Sequence, residues 1–110
     1  MEVNFDDPRL ADLCRSEKGL RKECGVVRAK RIQQRLKDLG AAETLQDMRS
    51  MPGCCHELTA DLKGHLSLDL DHPYRLLFRP TDETTPGPGG GLDWTKVTAV
   101  TVVSVTDTHE

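Results

Sequence analysis

The sequence predicts an α+β domain, and three features predict it. Apolar residues recur at steps of three and four in the first half of the chain, where Ala29, Ile32, Leu36 and Leu39 line up. In the second half they recur at steps of two, first at Leu66, Leu68 and Leu70 and then at Tyr74, Leu76 and Phe78. The two periods mark helix and strand, and their separation along the chain puts the helices together on one side of a mainly antiparallel sheet. The third feature is the run from Val97 to Val105, so dense in valine, alanine and threonine that it reads as a long, well-buried final strand. At 110 residues the chain holds one core, and residues 1–110 are read as a single domain.

Taken in order, Val3 and Phe5 alternate with polar neighbours as in a short strand, and Asp6 or Asp7 before Pro8 opens a helix. That helix carries Leu10, Leu13 and Cys14 on one face and should break or bend at Gly19. A second, clearer helix starts near Val26 and stops at Gly40, with Arg28, Arg31, Arg35 and Lys37 away from its apolar stripe. Thr44-Leu45-Gln46-Asp47 approximates a capping box, so a short third helix should run to about Ser50 and end at Pro52-Gly53. The main sheet then has four strands. Three begin near Cys55, His65 and Tyr74, the last two joined by the turn Asp71-His72-Pro73, and Val97 to Val105 is the fourth. Residues 81–92, TDETTPGPGGGL, have no periodicity and are expected to form a mobile surface loop, with Trp94 as its packing anchor.

Composition narrows the class. With 30% charged and 36% hydrophobic residues the chain resembles ordinary globular proteins, and no apolar run reaches the roughly 20 residues that span a bilayer. The acidic amino end lacks the apolar core of a secretory signal, so cytoplasm is the expected location, with no membrane partner. In that reducing compartment Cys14, Cys24, Cys54 and Cys55 are read as free thiols. Cys54, Cys55 and His56 in succession have the wrong spacing for a tetrahedral zinc site. The net charge of −3 argues against a strongly basic nucleic-acid binder, yet Arg21, Lys22, Arg28, Lys30, Arg31, Arg35 and Lys37 stand against Glu23 alone between positions 21 and 37. This basic stretch is either a solvated helix face or a phosphate-facing surface.

The period of two that buries Leu76 and Phe78 puts Arg75 on the opposite face of its strand, where a rigidly mounted cation suits an anion. Around it runs a wider pattern: Pro52-Gly53, then His56-x-Leu58-x-x-Asp61-x-Lys63-Gly64, then Tyr74-Arg75-Leu76-x-Phe78, and finally valine-rich sequence closing on Asp107-x-His109. The pattern spans most of the chain and resembles the HigB-like killer toxins of the RelE/ParE superfamily. The resemblance implies a RelE-like α+β fold, with two longer helices and a short third packed on a curved four-stranded sheet. It implies cleavage of messenger RNA on the ribosome, neutralisation by a helix-turn-helix antitoxin, and contact with operator DNA only through the antitoxin complex.

Cleavage by attack of the 2′-hydroxyl needs a base, an acid and a cation at the phosphate, and neither metal nor cofactor. The resemblance makes the positions of His56, Asp107 and His109 catalytic and has Arg75 contact phosphate; two histidines can divide acid and base duty, Asp107 either orients His109 or merely ends the strand, and Lys63 is a second cation for the same centre. Arg28, Arg31 and Arg35 would extend the RNA surface. All five catalytic candidates are expected in one shallow groove on the sheet face or edge away from the helices. Where the pattern tends to carry further basic residues this chain has Cys55, Thr59 and Leu62, and Thr108 replaces an aromatic hydroxyl. Those differences keep two other readings open: a toxin-fold protein that binds an antitoxin-like partner without cutting, and a gyrase-inhibiting relative, against which the paired histidines count.

Overall fold

The computed structural model describes residues 1–82 and 89–107. Helices α1 (Pro8–Arg15), α2 (Glu17–Cys24) and α3 (Val26–Ala41) pack on a sheet of strands β1 (Glu2–Phe5), β2 (His56–Glu57), β3 (Leu66–Asp69), β4 (Tyr74–Pro80) and β5 (Ala99–Asp107). The sheet order is β1-β5-β4-β3-β2, antiparallel except where β1 lies parallel to β5. The expected α+β layering holds, with five strands in place of four. Val3 and Phe5 pair with Val100 and Val102, so the amino-terminal segment extends the sheet beyond its long final strand.

Local chemistry explains each helix boundary. Asp7 caps α1 by accepting from the amide of Arg9, and Pro8 occupies the first turn. The break after α1 comes at Ser16 rather than Gly19, because the Ser16 hydroxyl accepts from the Gly19 amide and starts a new helix. Gly19 lies inside that helix, where an added Cβ would sit 3.0 Å from the serine oxygen. The expected short third helix is a 3₁₀ segment, Leu45–Ser50, and Asp47 reaches back to the Glu43 amide instead of completing a box with Thr44.

Leu20, Ile32, Leu39, Leu45 and Met48 from the helical layer meet Leu66, Leu68, Leu76, Phe78, Val100 and Val102 from the sheet in one fully buried core. A bulge in β5 decides which residues face it. Leu77 pairs with Ser104 but Phe78 pairs with Val102, which leaves Val103 as the extra residue. Val102 and Val105 can therefore both pack on the core although they are three positions apart. Leu77, on the opposite face, is also buried.

Candidate active site

Residues directly opposite each other in an antiparallel pair share a face, so the strand register sorts the candidate residues. His56 pairs with Ser67, Ser67 with Leu77, and Leu77 with Ser104. The next row on that face is Asp69, Arg75 and Thr106. His56 and Arg75 thus lie on the sheet face away from the helices, as the alternation around Leu76 predicts. They are two strands apart and one row out of step, about 12 Å between Cα atoms from strand spacing and rise.

Both are held in place. The His56 Nδ1 lies 3.0 Å from the Cys54 carbonyl oxygen. A carbonyl only accepts, so Nδ1 carries a proton, and in the neutral ring Nε2 is then the acceptor nitrogen. The turn supplying that carbonyl is unusual, since Cys54 has φ 52° and follows Gly53 at φ 111°. Arg75 points its Nε at the Asp69 carboxylate at 3.3 Å, which fixes the guanidinium across the strand pair. Asp69 is itself pinned by its amide, which donates to the Gly53 carbonyl at 2.7 Å, and by its carbonyl, which accepts from Arg35 Nε at 2.8 Å.

This chain of contacts changes the reading of the basic helix. Arg35 is buried at 5% exposure, running beneath Gly53, where any Cβ would fall 2.8 Å from its Nε. It is a strut between α3 and the Asp69 backbone, not part of a phosphate-facing surface. Arg28 is likewise engaged, with two bonds to the Asp71 carboxylate at 3.0 and 3.1 Å and its guanidinium stacked 3.5 Å over the Tyr74 ring. The hydrogen bond to Asp71 raises the Arg28 pKa further above its already high value. Arg31 alone of the three is exposed.

Two other expected members lie outside the row of Arg75. Lys63 follows the 3₁₀ turn Ala60–Leu62 at the opposite end of β3 from Asp69. There it lines a groove of about 540 Å³ with Glu57, Thr59, Gly64 and the Gly89–Leu92 segment. Asp107 pairs with Tyr74, on the helix-side face, so Thr106 rather than Asp107 shares the face of Arg75. The bulge at Val103 is the cause, because uninterrupted alternation from the core-facing Val102 would have put Asp107 on the other side. His109 and Thr108 lie outside the described residues, as do residues 83–88 of the loop expected over 81–92. Of the five expected together, His56 and Arg75 share the sheet face away from the helices among the described residues.

Sequence reasoning missed Glu57. Its carboxylate accepts from the Leu92 amide at 2.8 Å and the Trp94 indole at 3.2 Å, and the Arg49 guanidinium lies 3.8 Å over the ring of that indole. Trp94 is the anchor that its position suggests, and Glu57 fastens it to the edge strand. The cysteines are all unbridged. Burial pushes the Cys55 thiol up to about 12 and the Cys14 thiol to about 11, which keeps both protonated at neutral pH.

The five-stranded sheet with helices on one side is the RelE/YoeB-like toxin fold. Solved structures share it. The YoeB-YefM complex from Staphylococcus aureus matches with TM-score 0.58 and 15% identity, over 100% of this chain and 98% of that one. The YoeB/ParE toxin from Agrobacterium tumefaciens matches with TM-score 0.58 and 12% identity, over 99% and 100% respectively. No protein-family model and no curated protein matches the chain. The likeness extends to the whole fold and is one of fold; it does not distinguish the HigB-like branch suggested by the motifs.

Proposed function

We propose that this chain is the toxin of a toxin-antitoxin pair and that it cuts messenger RNA on the ribosome by metal-free attack of a 2′-hydroxyl. The observation that supports this reading best is the placement of His56, with Nε2 available to accept a proton, on the same sheet face as a strand-mounted Arg75. His56 takes the 2′-hydroxyl proton as the oxygen attacks phosphorus, and Arg75 stabilises the charge that gathers on the phosphoryl oxygens. The 5′-oxygen leaves with a proton supplied by His109, whose position the motif resemblance marks as catalytic. Asp69 aligns the guanidinium before RNA arrives and gives up part of its hold when a phosphate binds. The antitoxin, by the same resemblance a helix-turn-helix protein, contacts operator DNA and blocks the toxin.

The second reading, a toxin-fold protein that binds its partner without cutting, draws on the positions of Lys63 and Asp107, which leave fewer groups around Arg75 than cleavage by this fold was expected to use. Controlled expression separates the two. Wild type that arrests growth, with His56→Ala and Arg75→Ala that do not although both accumulate folded, supports cleavage. Normal growth under wild-type expression, with the protein folded and abundant, leaves only the binding reading.

A further inference from the structure

The turn between β3 and β4 is fastened on both sides of its tip. Arg28 donates two bonds to the Asp71 carboxylate and stacks over the Tyr74 ring, which ties both residues to α3. The Tyr74 amide donates to the Asp71 carbonyl at 2.8 Å and the Leu70 amide to the Tyr74 carbonyl at 3.0 Å, so the turn is also closed on itself. His72 stands between the two clamped residues. It is exposed, and no hydrogen bond or ion pair engages its ring among the described residues. A braced backbone that carries an uncommitted imidazole loses little conformational freedom when that ring takes a ligand.

His72 lines a small cavity of about 100 Å³ together with Asp69, Leu70, Pro73, Tyr74 and Arg75. That is the space of about three water molecules, enough for a phosphoryl group and too small for a base with its sugar. Asp71 does not line the cavity, and Arg28 balances its charge. Asp69 does line it, with its carboxylate 3.3 Å from Arg75 Nε, and is the one like charge that an anion there must face. Against it stand the guanidinium and the imidazole, both donors of N–H groups to phosphoryl oxygens. The strand register sets where the cavity lies. His56 belongs to the row of Ser67, Asp69 and Arg75 form the next row, and residues 70–73 lie beyond that. Arg75 therefore stands between His56 and the cavity.

We infer that His72 holds the phosphate flanking the scissile one, its imidazole donating to a phosphoryl oxygen in the cavity that it shares with Arg75. His72 then fixes the RNA backbone on the side of Arg75 remote from His56 and takes no part in proton transfer. For the identity of that phosphate as RNA this rests on the cleavage reading; the cavity and its donors stand apart from it.

The test has two arms, both on the full chain. In the first, inorganic phosphate replaces chloride at constant pH and ionic strength while the histidine ring signals are followed by NMR, with His72→Gln identifying the signal of interest. The His72 ring should shift saturably and the His65 ring, at the far end of β3, should not; Arg75→Ala should weaken the response about tenfold. In the second, cutting is measured on ribosomes carrying a defined message. His72→Ala should raise the ribosome concentration for half-maximal rate about tenfold and leave the maximal rate within about threefold of wild type, the mark of a group that binds without entering the chemistry. His72→Gln keeps an N–H donor and should recover most of the loss, and both variants, at an exposed position, should melt with the wild type. A His72 ring indifferent to phosphate, unchanged cutting by His72→Ala, or a fall in maximal rate alone would each overturn the inference and leave the cleavage reading standing. Saturable phosphate binding at His72 by a wild type that cuts no message would uphold the phosphate contact and remove the cleavage reading.

Discussion

Arg35→Ala should destabilise the protein severely, although the residue lies in a basic helix whose sequence suggests a solvent face. The charged hydrogen bond from Nε to the Asp69 carbonyl is worth about 1.5–3 kcal/mol. Exposing the space around three buried methylenes adds about 2 kcal/mol. Removal of a buried cation returns part of this through its desolvation cost, which leaves a net loss of about 3 kcal/mol. A domain of this size loses about 4 °C of Tm per kcal/mol, so the melting temperature should fall by about 12 °C. Arg35→Met, which keeps the stem, should recover roughly half of the loss. Arg31→Ala, at an exposed position on the same helix, should shift stability by no more than about 0.5 kcal/mol. Urea unfolding followed by circular dichroism measures all three. Equal midpoints for Arg35→Ala and Arg31→Ala would refute the strut, and a stable Arg35→Ala that loses RNA affinity would restore Arg35 to the RNA surface.

Gly53→Ala should cost about 2 kcal/mol or more, since φ 111° disfavours any side chain and the new Cβ would press on Arg35; an unchanged urea midpoint would show that the turn relaxes freely. A double-mutant cycle of Arg28→Ala and Asp71→Ala should give a coupling of about 1 kcal/mol, small because the pair is partly exposed; coupling indistinguishable from zero would mean that the stacking on Tyr74 carries the contact alone. Stability should fall as pH rises from about 9 towards 12. Cys14 and Cys55 hold their protons in the folded state up to about 11 and 12, while the same thiols in the unfolded chain ionise near the ordinary value of 9.0. Replacing both by alanine should flatten that slope in denaturant titrations at successive pH values, and an unaltered slope would assign the effect elsewhere.

How much of this was legible in the sequence depends on how far apart the interacting residues are. Local signals were clear: Asp7 beside Pro8 capped a helix, and the alternation around Leu76 put Arg75 on the open face. Gly19 misled because Ser16, three residues earlier, offered a stronger boundary through its side-chain oxygen. The role of Arg35 was hidden because its acceptor is a backbone carbonyl 34 positions away, and helical periodicity shows a direction without showing what stands there. Glu57 is the same case, joined to Trp94 across 37 positions. Asp107 was misplaced by a single residue. In a run of valine and threonine no polarity marks a bulge, so the extra residue at Val103 turned the strand end over without leaving a trace in the pattern.

The central claim, cleavage by a site built on His56 and Arg75, is tested most directly by incubating the purified protein with translating ribosomes on a defined messenger RNA and mapping breaks by primer extension. The account predicts cuts inside the translated frame, none in the same RNA without ribosomes, and losses of about a hundredfold or more for His56→Ala and Arg75→Ala. Lys63→Ala, at the far end of β3, should cut within a few-fold of wild type. Intact message after prolonged incubation with folded wild-type protein, or cutting that survives Arg75→Ala and disappears with Lys63→Ala, would contradict it.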